Sequence, residues 1–243
     1  MNVAAQAKLI VALDVDEFTV AASLVERLAG LGVIFKVGLE PLLNYGEAIL
    51  AKLAAAGAAS FIDAKLHDIP RTVGAAARAL VRPGVRIVTV HALGGREMMR
   101  AAVDESAERA RELGLEPPQV FAVTLLTSIA PGELSELGLQ GDLGENVLRL
   151  ARLARDARCA GVVCSPHEVR DLKRSFGAGF AALCPGIRPA GAGHGDQKRV
   201  ATPRAAVEAG ADYLVVGRPV TEAADPLAAA SEILAQMASA DAR

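Results

Sequence analysis

The sequence predicts a single (β/α)8 barrel spanning residues 1–243, on two observations, and a third places its chemistry. A strand-length apolar run followed by an amphipathic stretch recurs eight times. No linker or shift in composition divides the chain. Polar residues collect just after the apolar runs, where barrels of this kind build their active sites, and the opposite ends read as mostly apolar or Gly-rich. The alternative, an open doubly wound sheet, has fewer strands and opens on a G-x-G-x-x-G turn. Here the first turn reads Asp14-Val15-Asp16-Glu17, without glycine.

In chain order, Leu9 to Asp14 reads as the first strand, and Val20, Leu24, Leu28 and Leu31 follow at helical spacing. Val33 to Val37 is the second strand, with one helical stretch through Ile49, Leu50 and Leu53. Ser60 to Lys65 is the third, and its helix carries Val73, Ala76, Ala77 and Leu80. Arg86 to His91 precedes a helix from about Arg96 to Leu113. Gln119 to Leu125 precedes one near Glu145 to Ala157, and Ala160 to Cys164 one over Val169, Leu172 and Phe176. Phe180 to Cys184 leads to a short helix from about Pro203 to Ala209. Tyr213 to Val216 is the eighth strand, closed by a helix over Leu227, Ala230, Leu234 and Met237.

The composition narrows the function. The net charge of −2 gives no global pull toward nucleic acid or an anionic membrane, so an anionic ligand needs local basic groups. With two tyrosines and no tryptophan, base-stacking platforms are disfavoured. No apolar run reaches membrane-spanning length. The three cysteines, Cys159, Cys164 and Cys184, form no C-x-x-C pair and read as reduced thiols. With no signal-peptide pattern at the N-terminus, they point to a cytoplasmic protein.

The chemistry concentrates in Asp63-Ala64-Lys65-Leu66-His67-Asp68-Ile69-Pro70. Strand alternation puts Asp63 and Lys65 on one face, with Ala64 opposite. Asp68 falls in the turn before a helix opening near Pro70. Buried ions lose more in desolvation than they regain unless fully paired, so two carboxylates around one ammonium suit a site that sets protonation states. A surface ion-pair cluster is the equal alternative on Asp63 and Lys65 alone. The other strand ends add Asp14, Lys36, His91, Thr124, Thr127, Ser128, Cys164, Ser165, Arg188, Gly217 and Arg218.

A phosphate site is expected after strands seven and eight. Gly217-Arg218-Pro219 combines close backbone approach, a bidentate fork and the start of a short helix. The seventh loop, from Pro185 to Gln197, adds Arg188 and several glycines and reads as a lid; an ordinary Gly-rich turn with surface arginines is the alternative for either loop alone.

Together these residues closely resemble the orotidine 5′-phosphate decarboxylase family over nearly the whole chain. The resemblance rests on Asp63 through Pro70, Leu13-Asp14, Phe35 through Gly38, Val90-His91-Ala92 and Val123 through Ser128. It also rests on Gly161 through Ser165, Pro185 through Pro189, Asp196-Gln197, Arg199 through Pro203, and Val215 through Arg218. One such motif would be shared with other ribulose-phosphate-binding barrels; the ordered set is specific. It implies conversion of orotidine 5′-phosphate to uridine 5′-phosphate and CO2, the last step of UMP biosynthesis, with no metal or organic cofactor. Lys65 would donate the proton to the ring carbon, flanked by Asp63 and Asp68. Asp68, Ile69 and Thr72 would reach the neighbouring site of a homodimer. Asp14 and Lys36 would hold the ribose, Thr127 (or its neighbour Ser128) would face the pyrimidine, and Gln197 would bridge base and phosphate. Arg188, Gly217 and Arg218 would bind phosphate.

The residues suit that reaction. A ring carbanion with no electron sink needs a fixed ammonium that stabilises it and then protonates it. Two carboxylates favour the charged form of Lys65, which disfavours a Schiff base. Two rivals remain. A metal-dependent sugar-phosphate lyase or epimerase would use Asp63, Asp68 or His91 around a divalent ion and lose activity in chelator. A non-catalytic phosphometabolite-binding protein would need Arg188 and Arg218 but not the Asp-Lys-Asp array. His67, His167 and His194 read as loop or cap residues, His91 as a supporting hydrogen-bonding group and Cys164 as packing.

Overall fold

The computed structural model describes residues 7–189 and 200–241. Eight parallel strands close into one barrel in sequence order: β1 (Lys8–Ala12), β2 (Ile34–Val37), β3 (Ala59–Leu66), β4 (Val85–His91), β5 (Gln119–Val123), β6 (Gly161–Val163), β7 (Ala181–Cys184) and β8 (Tyr213–Val216). Closure is direct: Leu9 pairs with Leu214 and Ile10 with Val215. The expected eight βα units are therefore present, with strand ends moved by one or two residues.

The helices are α1 (Phe18–Leu28), α2 (Leu39–Tyr45), α3 (Glu47–Ala55), α4 (Pro70–Ala79) and α5 (Gly95–Leu113). They continue with α6 (Leu143–Asp156), α7 (Val169–Phe176), α8 (Pro203–Glu208), α9 (Arg218–Thr221) and α10 (Pro226–Asp241). The single helix expected after β2 is two, because Gly46 takes φ 47° and breaks the run between them. The α1 stripe is also rotated from the expected one: Ala21, Leu24, Val25 and Leu28 are buried and Val20 is exposed. Leu227 is likewise exposed on α10. The start of α6 is fixed by a capping box, in which Glu145 N–H donates to Asp142 Oδ1 and Asp142 N–H to Glu145 Oε2. Among the described residues, no helix is long and apolar enough to cross a membrane.

Strand alternation divides the core in two. Inside the barrel lie Ile10, Ala12, Ile34, Phe61, Ile87, Phe121, Leu183 and Val215. Val11, Val37, Ile62, Val88, Ala122, Val162 and Val216 belong to the other cluster, shared with the helices. Burial of this apolar surface is the main driving force for closing the barrel. Inside it, Gly161 leaves room for Phe121: a Cβ there would sit 2.7 Å from the Phe121 ring and 2.1 Å from Ala181 O.

The N-terminal strand ends depart from expectation in being polar as well as apolar. Lys173 Nζ pairs with Asp212 Oδ2 at 2.7 Å and donates to Phe180 O, while Ala182 N–H donates to the same carboxylate. Tyr213 OH donates to Gln119 Oε1 at 2.9 Å. These groups satisfy one another and tie strands together, a structural use of polarity.

Candidate active site

The C-terminal ends of the strands open onto a cavity of about 610 Å³, within the range of small-molecule sites. Its floor is apolar, formed by Ala12, Phe61, Val123, Leu125, Val163, Leu183 and Val215. The inward positions one step further along β2, β3 and β4 are Lys36, Asp63 and Thr89, so the barrel interior turns from apolar to polar at this end.

Asp14, Lys36, Asp63 and Lys65 form a chain of alternating charge. Lys36 Nζ lies 2.9 Å from Asp14 Oδ1 and 3.8 Å from Asp63 Oδ2. Asp63 Oδ2 in turn lies 2.6 Å from Lys65 Nζ. Lys36 and Asp63 are buried, so each of these ions depends on the other for its missing hydration. Asp63 Oδ1 accepts from the buried Thr89 hydroxyl at 2.9 Å. Both of its oxygens are thus engaged.

Lys65 reaches this position by a route that simple alternation does not predict. Ile62 pairs with Val88 and Leu66 with Val90, so β3 uses four steps where β4 uses two. The extra residues form a bulge, and Lys65 takes φ 48°, the left-handed region. A non-glycine residue held there costs on the order of 1–3 kcal/mol and persists only where its surroundings fix it. Lys65 N–H donates to Thr89 Oγ1 at 3.0 Å.

Of the two carboxylates expected around Lys65, one chain brings only Asp63. Asp68 lies past the bulge, exposed, and its Oδ1 accepts from Ile69 N–H at 2.6 Å. Ile69 and Thr72 are exposed beside it at the start of α4, and none of the three lines the cavity. Thr127 and Ser128 both line it, leaving both registers open.

Arg188, Gly217 and Arg218 line the other side, with Arg218 opening α9. Burial and the Arg218 charge lower the Arg188 pKa from its usual value, and Glu222 opposes that shift. Two guanidiniums that repel one another would both be relieved by a dianion between them. Gln197 and His194 lie outside the described residues.

His91 lies at the end of β4 and stacks on His67, with ring centroids 5.4 Å apart. Its pKa is lowered by burial first, then by His67 and Lys65, with Asp63 opposing. His167 N–H donates to Ser165 Oγ in the loop after β6, a local cap. Cys164 and Cys184 are buried neighbours, and burial, with hydrogen bonding to Cys164, raises the Cys184 thiol well above its ordinary range. Burial also pushes the Cys159 thiol up to about 12. These thiols pack.

Sequence reasoning missed Thr89 and Glu222. Thr89 carried a signal, as the one polar residue in Ile87-Val88-Thr89-Val90. Glu222 stands four residues after Arg218, a helical spacing.

Comparison with known proteins agrees with this geometry. The model of the Orotidine 5′-phosphate decarboxylase / HUMPS family matches residues 7–233. An orotidine 5′-phosphate decarboxylase of Nitratidesulfovibrio vulgaris is 48% identical over 233 residues, 96% of this chain and 98% of the relative. That of Halorhodospira halophila is 47% identical over 99% of this chain and 100% of the relative. The crystal structure of the Lactobacillus acidophilus orotidine 5′-phosphate decarboxylase superposes with a TM-score of 0.84 at 39% identity, covering 95% of this chain and 99% of that one. With an eight-stranded barrel, a charged array at the mouth and matches of this length, the chain belongs to the orotidine 5′-phosphate decarboxylase / HUMPS family.

Proposed function

We propose that this chain, as one barrel domain, converts orotidine 5′-phosphate to uridine 5′-phosphate and CO2, the last step of UMP biosynthesis. The observation that carries the reading is the Lys65 ammonium held 2.6 Å from Asp63 over an apolar floor, with Arg188 and Arg218 on the same cavity. Four cationic side chains face three carboxylates there, which suits a phosphate and carboxylate substrate.

In this reading Arg188, Gly217 and Arg218 hold the phosphate, with Gln197 closing from the seventh loop. Asp14 and Lys36 position the ribose, and Thr127 faces the pyrimidine. The bond from the ring carbon to the carboxylate breaks, CO2 leaves, and the electron pair stays on the ring carbon. The Lys65 ammonium stabilises that pair and gives it a proton, and solvent reprotonates the amine. Asp63 fixes the ammonium. Both of its oxygens are taken by Lys65 and Thr89, which favours ammonium over metal-ion chemistry at this carboxylate.

Asp68, Ile69 and Thr72 serve the second site of a homodimer. Their exposure beside α4, with Ile69 62% exposed, supports a role outside their own cavity.

The test is the pyrimidine absorbance change on adding orotidine 5′-phosphate in the presence of chelator. Turnover supports the reading. Turnover only of sugar phosphates with added magnesium would transfer the chain to the metal-dependent branch, and nucleotide binding without turnover would make it a binding protein.

A further inference from the structure

We propose that Thr89 is a positioning residue for the reaction: its hydroxyl locks the β3 bulge and so sets where the Lys65 ammonium stands. This rests on the decarboxylase reading above.

A single oxygen serves both ends of the bulge. Thr89 Oγ1 accepts the Lys65 backbone N–H at 3.0 Å and donates to Asp63 Oδ1 at 2.9 Å. It therefore fixes the main chain of the proton donor and the side chain of that donor's carboxylate partner. The hydroxyl is fully buried, so water cannot replace it in either bond. Its direction of donation is determined, because a carboxylate only accepts and the backbone N–H only donates.

The need for such a lock follows from the backbone. Lys65 is in the left-handed region at φ 48°, and β3 and β4 are out of step between Ile62 and Leu66. Within that offset the ladder gives Lys65 N–H no strand partner, and Thr89 supplies one. Without the hydroxyl, the N–H and Asp63 Oδ1 would each lose this partner, and the bulge could relax toward regular pairing. Relaxation would carry the ammonium away from Asp63. Thr89 lines no part of the cavity, so substrate binding should survive.

The experiment compares Thr89→Ser, Thr89→Val and Thr89→Ala with wild type, measuring kcat, KM and UMP affinity by calorimetry. Misplacing a reacting group by about 1 Å costs on the order of 10²-fold in rate. Val and Ala should therefore lose about 10²-fold in kcat, while KM and UMP affinity stay within about threefold. Ser keeps the hydroxyl and should stay within about tenfold of wild-type kcat. Ser and Ala both lack the methyl, so their difference isolates the hydroxyl. Equal kcat in Ser and Ala, or a loss that falls on UMP affinity, overturns the proposal. So does folding by Ser alone, because the hydroxyl would then serve the fold rather than the lysine. Absence of decarboxylation by wild type would instead overturn the underlying reading, which separates the two failures.

Discussion

At the scale of single residues, the site depends on ions that are buried only because each has a partner. Asp63 is held by Lys65 and Thr89, and Lys36 by Asp14. Arg218 is remote from Lys65 along the chain but lines the same cavity, and in the proposed reading its hold on the phosphate keeps the ring over the ammonium. Arg218→Ala is therefore expected to lower kcat/KM on the order of 10²-fold or more, although it touches no reacting bond. Steady-state kinetics check this, and an unchanged kcat/KM would contradict it.

His91 gives a pH signature at the same scale. In the unfolded chain a histidine takes up its proton near pH 6.5. In the folded protein, burial with His67 and Lys65 nearby lowers that value. As pH falls through about 6.5, the unfolded state therefore binds a proton that the folded state refuses, and stability falls with it. Urea unfolding of wild type and His91→Asn should show the wild type's relative stability decreasing from about pH 7.5 to 5.5. A difference independent of pH would contradict the assignment. The meeting of Asp63 and Lys65 was legible in the sequence, since two charges interrupt an apolar run at the spacing of one strand face. The geometry of Lys65 was not, because a positive φ at lysine leaves no mark in residue order.

At the scale of elements, β3 and β6 show what residue order encodes well and poorly. Each strand was legible as a short apolar run, and α4 was legible from Pro70. The bulge in β3 was not, because it arises from pairing with β4, a contact between segments. The break between α2 and α3 was carried by one glycine in an otherwise continuous helical pattern. Gly161 has a similar silent role. A methyl there would press on Ala181 O and the Phe121 ring. Gly161→Ala should destabilise the fold by about 1–3 kcal/mol, as overpacking of a filled core does. Denaturant unfolding measures this, and a loss below about 0.5 kcal/mol would contradict the packing described.

At the scale of the whole molecule, the eightfold repeat made the barrel legible, and the rule that chemistry sits at C-terminal strand ends located the mouth. The polar N-terminal ends, where Lys173 and Asp212 meet, show that polarity alone does not mark the site. The proposed share of a second subunit is the least legible part, because Asp68, Ile69 and Thr72 are exposed at the start of α4 and line no part of their own chain's cavity. If Asp68 acts across a dimer interface, mixing inactive Lys65→Ala and Asp68→Ala subunits rebuilds one intact site per mixed dimer. Activity should return on mixing after subunit exchange. No return in confirmed mixed dimers would place Asp68 in its own chain's site.

In the proposed reaction the Lys65 ammonium, fixed by Asp63, performs the protonation. The most direct test is kcat of Lys65→Ala on orotidine 5′-phosphate, with UMP binding measured on the same preparation. General acid catalysis and electrostatic stabilisation lost together predict a fall of at least about 10⁴-fold, with UMP still bound. A variant that binds UMP and turns over within about tenfold of wild type would show that Lys65 is not the proton donor.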